Sequence, residues 1–266
     1  LARAALHFDE EPVISGTRGS GAVFFSGCAL KCRFCQNYEV SHHNFGKPVS
    51  IARLREIYFS LIDQGAQNIN LVNPTHFARA ILASLEGGLP VPVVWNTGGY
   101  ERVETLRQFE GKVQVYLPDL KYIRPDAARR YSGAADYFNF AGPALKEMLR
   151  QTGPVRIGED GAIQSGVIVR HLILPGHTRN SREVLNYLHE TYGENIYISI
   201  MNQYTPVRKF EKFKELNRKV TKREYEKVLD AAVDMGIQNG FIQEGETASE
   251  SFIPEFDYEG VKKNTP

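Results

Sequence analysis

Three cysteines are the residues of this sequence whose type and spacing most directly suggest chemistry. Cys28, Cys32 and Cys35 fall within eight positions, and the 266 residues contain no further cysteine. Structural zinc takes four ligands and usually gathers them as two pairs, so a fourth ligand has to be found, and His42 and His43 are the nearest candidates. An odd number of cysteines does not suit a disulfide framework, which favours a reducing compartment.

An iron–sulfur cube is the alternative to a zinc site. A cube is closed when a thiolate binds each iron, and steps of four and then three residues between the cysteines supply thiolates for three irons. One iron stays open, so it can chelate a substrate to which the cluster passes an electron. The helices and strands predicted around the three cysteines therefore have to distinguish a structural metal site from a reactive cluster.

Hydrophobic periodicity predicts helices and strands in alternation after the cysteines. Apolar residues at three- and four-residue steps predict a helix over 51–62 that ends near Gly65. Thr221 and Glu224 form a capping-box pair ahead of a last helix that Gly236 stops. Other helices are predicted after Pro74, after Tyr100 and from Ser181 as N-cap, and strands over residues 68–72, 91–95, 113–117, 167–174 and 196–201. Strands that alternate with helices imply a parallel sheet.

Length and composition predict one domain over residues 1–266. A chain of this size with 42% hydrophobic residues can bury one large core, and α/β barrels often reach this length undivided. The net charge of +1 gives no reason to expect nucleic acid as a partner. No apolar run approaches the roughly 20 residues of a membrane span, and no secretory signal is evident. We therefore expect a soluble, cytoplasmic protein without a membrane partner.

Polar residues follow most of the predicted strands. In a parallel α/β barrel the chemistry gathers at the carboxyl ends of the strands, where the loops to the helices meet. Five of the six strand ends present a polar group there, and the six segments are residues 26–28, 72–76, 95–99, 117–121, 174–177 and 201–204.

The cysteine triplet after a first strand resembles the radical S-adenosylmethionine (SAM) superfamily, whose CxxxCxxC loop has this place. Phe34 occupies the aromatic position just before the third cysteine. The resemblance implies an α/β fold, a partial (β/α)6 TIM-like barrel of the radical SAM type. It also implies one 4Fe–4S cluster whose open iron binds the amino and carboxylate groups of SAM. Reduction of the cluster then cleaves SAM to a 5'-deoxyadenosyl radical, which abstracts a hydrogen atom from the substrate.

The resemblance narrows to the pyruvate formate-lyase activating enzyme-like, or activase-like, branch. The segments that carry it are residues 35–39, 96–98, 118–121, 170–176 and 201–206. It spans a core of about 21–204, with a C-terminal helix and tail over 205–266. It implies a glycyl radical enzyme as a possible partner and a reductant such as flavodoxin or ferredoxin.

Several SAM contacts follow from this resemblance. Asp119 and Lys121 would meet the polar atoms of SAM, and a surface ion pair is the alternative for them. Arg170 would orient SAM or stabilise its carboxylate, and a buried arginine needs an anion or acidic neighbour in either case. Asn73 could receive the SAM ammonium through its carbonyl oxygen, or the segment could simply begin a helix.

The sequence departs from the activases at other positions near SAM. Asn96 replaces an aspartate that there helps to bind a monovalent cation, which puts that cation site in doubt. The usual glycine-glycine-glutamate loop is absent, and residues 73–76 take its place. Gln203 stands where the activases have a histidine, so it can hydrogen-bond but cannot titrate near neutral pH.

Three functions remain open at this point. The chain could activate a glycyl radical enzyme, it could modify a small molecule or a peptide, or it could be a noncatalytic iron–sulfur or zinc module. Residues 208–227 hold nine basic and four acidic residues, which is typical of a solvated face or of a docking surface for an acidic partner. The tail over 243–256, which includes Phe252, could close the open side of the barrel.

Overall fold

Parallel strands with helices on one face form the core of the chain. The computed structural model describes residues 1–243 and 254–261. The strands of this part of the chain are β1 Arg3–His7, β2 Ser20–Phe24, β3 Ile69–Val72, β4 Val93–Thr97, β5 Val115–Pro118, β6 Arg156–Ile157, β7 Ile163–Leu172, β8 Tyr197–Met201 and β9 Gly240–Ile242. Its α-helices are α1 Pro12–Ser15, α2 Tyr38–His42, α3 Ile51–Asp63, α4 Ala78–Ser84, α5 Val103–Arg107, α6 Pro125–Ser132, α7 Tyr137–Thr152, α8 Thr178–Tyr192 and α9 Lys222–Asp234.

The strand order is that of an open, partial barrel. Strands run in the order β1-β2-β3-β4-β5-β7-β8-β9, with parallel pairing from β2 to β9. β1 pairs antiparallel with β2, and the short β6 pairs antiparallel with β7. The prediction of a partial α/β barrel is confirmed. The sequence missed β1 and also β9, whose three residues are too few for an alternation of apolar and polar positions to show.

The alternation of side chains along the strands divides the sheet into an apolar outer face and a barrel interior. Trp95 of β4 packs among the helices, whereas its neighbours Val94 and Asn96 point inward. Val94 and Ile168 belong to an apolar cluster inside the barrel. Two residues further along the same strands, Asn96 and Arg170 line a cavity. The interior therefore changes from apolar to polar toward the carboxyl ends of the strands.

The N-terminal segment enters this interior, which the sequence did not predict. Ile14 of the short helix α1 belongs to the apolar cluster inside the barrel. Its carbonyl oxygen accepts hydrogen bonds from Gln67 Nε2 and Asn68 Nδ2, both at 2.7 Å. These bonds fix the segment in place, and they satisfy polar groups that are buried.

Two of the predicted helix ends are confirmed and one is wrong. Helix α3 stops before Gly65, and Thr221 with Glu224 forms the complete capping box of α9. Helix α8 begins at Thr178 and not after Ser181. Ser181 is buried within the helix, where its hydroxyl lies 2.9 Å from Nε2 of His171. A side chain typical of a helix cap thus serves a tertiary contact here.

The C-terminal residues that the structure describes run beside β1. The backbone N–H of Ala4 donates to the carbonyl of Glu259 at 2.9 Å, and the ring of Phe256 packs edge-on against Phe24. Pro254 lines the interior cavity. Most of the predicted tail, including Phe252, lies outside the described residues. No helix in the described ranges is long and apolar enough to span a bilayer.

Candidate functional site

A cavity of about 480 Å³ opens at the carboxyl ends of the parallel strands. Ligand pockets commonly range from about 300 to 1,000 Å³. Every site residue predicted from the sequence lines this cavity: Cys28, Phe34, Cys32, Cys35, Asn73, Asn96, Asp119, Lys121, Arg170 and Gln203. Since these residues come from six different strand ends, the parallel sheet is what brings them together.

A tight turn after β2 sets the direction of the cysteine loop. Gly27 has a φ of 83°, in the left-handed region, and a Cβ there would lie 3.1 Å from both Asn44 Oδ1 and His76 Nε2. The Gly27 N–H donates to the carbonyl of Val40 at 2.8 Å, and its carbonyl accepts from Nδ2 of Asn73. The loop is thereby tied to the end of β3, and only glycine fits this turn without strain.

Serine hydroxyls contact two of the three thiols. Cys32 Sγ lies 3.0 Å from Ser132 Oγ, and Ser41 Oγ lies 3.3 Å from Cys35 Sγ. Burial raises the pKa of all three thiols, that of Cys28 to about 12. A cation is therefore needed to hold the buried thiols as thiolates.

The donor set of three thiols is that of a cube with one open iron, and it is one ligand short of a structural zinc site. Among the described residues, no three histidine, cysteine, aspartate or glutamate side chains converge as the ligands of one ion do. His43 Nδ1 pairs with Glu39, and His42 stacks on the ring of Tyr38, so neither supplies a fourth ligand in the cavity. Separate thiols suit a cluster with a separate iron for each thiolate.

Asp119 and Lys121 form an ion pair whose charged groups lie at the cavity. The side chains are 29% and 15% exposed, so the pair is partly buried. Burial lowers the pKa of Lys121, but the Asp119 carboxylate and the Cys32 thiol outweigh it and leave that pKa raised. The hydroxyl of Tyr137 accepts from the Lys121 N–H at 3.1 Å and holds the backbone here. Lys121 is thus a fixed cation between the thiols and Asp119.

Arg170 has acidic partners from the N-terminal segment. Its Nε and Nη2 donate to the two carboxylate oxygens of Glu11 at 2.9 and 2.8 Å, and Nη2 also pairs with Glu10. Burial raises the pKa of the Glu11 carboxyl, and hydrogen bonds from its own backbone N–H and from the Ser199 hydroxyl oppose that shift. The charge of Arg170 is therefore balanced inside the protein, and its contact with SAM stays a prediction.

The amide side chains at the cavity each hold a neighbouring element. Asn73 has a φ of 58°, and its Nδ2 bonds to the cysteine loop, which leaves Oδ1 as its acceptor. Asn96 Nδ2 donates to Glu10 Oε1 at 3.3 Å. The oxygen of the Gln203 side chain accepts from Gln243 at 2.9 Å. Their roles toward SAM are not tested by these contacts.

Glu10, Glu11 and Gln243 line the cavity as well, and sequence reasoning missed them. The two glutamates follow the antiparallel strand β1 and not a strand of the parallel sheet, so the rule that located the other residues does not reach them. The single available signal was Arg170, because a cation in a buried strand requires an acidic partner somewhere in the chain.

Comparison with known proteins agrees with this site. Residues 15–116 match the family model of a 4Fe-4S single cluster domain. An uncharacterized protein of Methanocaldococcus jannaschii, MJ0674, is 30% identical over 237 residues, which cover 85% of this chain and 65% of that protein.

Solved structures of SuiB from Streptococcus suis share the fold. SuiB bound to S-adenosylmethionine superposes with a TM-score of 0.58 at 12% identity, over 90% of this chain and 53% of SuiB. SuiB bound to the precursor peptide SuiA gives 0.57 at 13% identity, over 85% and 49%. The chain thus spans about half the length of SuiB.

The chain folds as a partial α/β barrel, and its residues 15–116, which contain the three thiols, are similar to a 4Fe-4S single cluster domain. Its cysteine spacing resembles that of the radical SAM superfamily, and its fold is shared by the SAM-bound structure of SuiB. The 4Fe-4S domain that residues 15–116 match agrees with the predicted cluster, and a structure that binds SAM shares the fold.

Proposed function

We propose that the chain is a radical SAM enzyme that abstracts a hydrogen atom from a polypeptide, as the activator of a glycyl radical enzyme. The single observation that carries the enzymatic part is the meeting of all ten predicted site residues at one cavity. When bound, the cluster and SAM supply reductive cleavage of SAM and a 5'-deoxyadenosyl radical. The residues of the chain bind, orient and enclose these reactants.

Cys28, Cys32 and Cys35 would hold three irons of the cluster and leave the fourth open to SAM. The raised pKa of Lys121 keeps it a cation, and its charge opposes the burial that raises the pKa of Cys32, which favours the thiolate form of the ligand. Asp119 would accept hydrogen bonds from SAM, because a carboxylate suits an ammonium or the ribose hydroxyls. Both groups stand at one strand end, so the pair fixes their relative position.

Arg170, Asn73 and Gln203 would complete the contacts with SAM. Arg170 is held by Glu11 in a bidentate pair, which orients its guanidinium before a ligand arrives. Asn73 keeps an oxygen for the SAM ammonium, since its nitrogen bonds to Gly27. Groups that are ordered in advance lose little entropy when the ligand binds.

Two observations support a polypeptide as the substrate. The sequence resembles activases over a core of about 21–204. SuiB, which shares the fold, binds a precursor peptide. Modification of a peptide is therefore the second candidate, and the identity of the hydrogen donor separates it from activation.

Deuterium transfer tests the proposal. The reconstituted protein, SAM, a reductant and a candidate glycyl radical enzyme deuterated at glycine are incubated without oxygen, and 5'-deoxyadenosine is analysed by mass spectrometry. Activation predicts deuterium in 5'-deoxyadenosine and a glycyl radical signal in electron paramagnetic resonance (EPR) spectra. Cys32→Ala protein is the control and should give neither. If the loaded protein binds SAM but forms no 5'-deoxyadenosine with any reductant, a noncatalytic iron–sulfur module is the correct description.

A further inference from the structure

Basic side chains cover the outer side of the cysteine loop. We define the basic platform as Arg33, Arg130, Arg208, Lys209, Lys212 and Lys214, which are all exposed. None of them lines the cavity, whereas Cys32 and Phe34 on either side of Arg33 do. The loop therefore has two faces, one toward the cavity and one toward solvent.

Aromatic rings hold the arginines of the platform in place. The guanidinium groups of Arg33 and Arg130 each lie 4.9 Å from the ring centroid of Phe213. Arg208 lies 4.2 Å from the ring of Tyr38, and its Nη2 donates to the carbonyl of Arg33 at 3.4 Å. Such contacts keep the charges ordered, so less side-chain entropy is lost when a partner binds.

The charge of the platform is only partly compensated. The segment 208–215 also contains Glu211 and Glu215, and Glu215 is bound to Arg130 at 2.8 Å. In the second half of the charge run, Arg218 pairs with Glu224 and Lys222 pairs with Glu226 around the start of α9. The six basic side chains of the platform outnumber the two glutamates of this segment, so the platform keeps an excess of positive charge.

The platform is connected directly to a cluster ligand. Arg33 follows Cys32 in the chain, and its N–H donates to the carbonyl of Tyr131 at 2.8 Å. The next residue, Ser132, contacts Cys32 Sγ. A partner on the platform would thus sit one residue from a thiolate of the cluster while the cavity stays open to SAM and substrate.

We propose that the basic platform is the docking surface of an acidic protein that delivers electrons, a low-potential flavoprotein or ferredoxin. This inference rests on the cluster of the proposed function and not on its substrate. The donor is oxidised by one electron and the cluster is reduced by one, with no bond formed or broken. Complementary charge steers such encounters and raises their rate at low salt.

Stopped-flow reduction of the cluster-loaded protein tests the platform. The probe is a reduced, acidic flavodoxin, with a reduced ferredoxin in a parallel arm, and loss of cluster absorbance and the EPR signal of the reduced cluster are followed without SAM. Lys209→Glu/Lys212→Glu protein should show a second-order rate constant about tenfold lower at low ionic strength. The difference should shrink near 1 M salt, where the Debye length is about 3 Å.

Arg79→Glu/Lys146→Glu protein is the matched control, since it makes the same change of charge at exposed positions on α4 and α7. It should behave as the unmodified protein. Reduction by dithionite and iron content should be equal in all variants, and Lys209→Gln/Lys212→Gln protein replaces the reversed pair if that pair does not fold.

The outcomes separate this inference from the proposed function. Slower reduction by the donors with normal SAM cleavage under dithionite supports the platform. Normal electron uptake with no SAM cleavage contradicts the enzymatic proposal and leaves the platform standing. If the platform and control variants are reduced at equal rates by both donors, the inference is overturned. This holds even if the platform variant has lost affinity for a nucleic acid, which would then be the partner of this surface.

Discussion

The ion pair between Arg170 and Glu11 should be a main determinant of stability at the cavity. Glu11→Gln keeps the shape of the side chain and removes its charge. The wild-type pair has two hydrogen bonds, of 2.9 and 2.8 Å, between side chains that are 12% and 6% exposed. The variant leaves Arg170 with Glu10 as its single remaining carboxylate partner in this cluster.

The size of the effect follows from these contacts. A hydrogen bond to a charged group contributes about 1.5–3 kcal/mol, so two lost bonds set an upper limit of about 6 kcal/mol. Glutamine still offers one oxygen, and Glu10 remains, so we expect a loss of about 2–3 kcal/mol, below the cost of a fully broken buried pair. With an m-value of about 3 kcal/mol/M, the urea midpoint should fall by about 0.7–1 M.

Equilibrium urea unfolding at pH 8, followed by circular dichroism, measures this loss. Glu110→Gln is the matched control, because Glu110 makes the same bidentate contact with Arg150, at 3.0 and 2.7 Å, with both side chains about half exposed. Solvent screens an exposed pair, so the control should unfold as the wild type does. Equal midpoints for the two variants would refute the view that burial makes the Arg170 pair decisive.

The remaining predictions concern the cluster, SAM and a buried histidine. Anaerobic reconstitution should give about four irons and four sulfides per chain, and Cys32→Ala should abolish this uptake. Stoichiometric zinc without iron uptake would contradict the prediction of a cluster. Asp119→Ala or Lys121→Ala should leave the cluster intact and weaken SAM binding by about 1.5–3 kcal/mol. Calorimetry should show this loss as a dissociation constant that is about 10- to 150-fold higher. Unchanged affinity in both variants would exclude the two residues as ligands. Burial lowers the pKa of His171 from 6.5 to about 4. Between these pH values the side chain is neutral in the folded state and protonated in the unfolded state. The free energy of unfolding should therefore fall by about 3 kcal/mol as pH drops from 6.5 to 4, and a His171→Gln protein that keeps this decline would rule out the assignment.

Local sequence patterns predicted those helices whose periodicity and end signals lie close together in the chain. The helix over 51–62 and the capping box at Thr221 were predicted because their periodicity and end signals lie within a few residues. The strand 91–95 was placed two residues too early, since β4 covers Val93–Thr97, and Pro92 with its neighbours belongs to the preceding loop. Such boundaries depend on which backbone groups find partners across the sheet.

The sequence by itself indicated the cysteine ligands and the residues that line the cavity, and the tertiary structure decided how they are held. Cysteine spacing and polar strand ends are short-range features, and a parallel sheet brings its carboxyl ends to one edge. Ten of the residues that line the cavity were therefore predictable. The pairing of Arg170 with Glu11 joins residues 159 positions apart, and the contact of Arg33 with Phe213 also links distant segments. No local periodicity specifies such partners, because they follow from how the whole chain packs around the barrel.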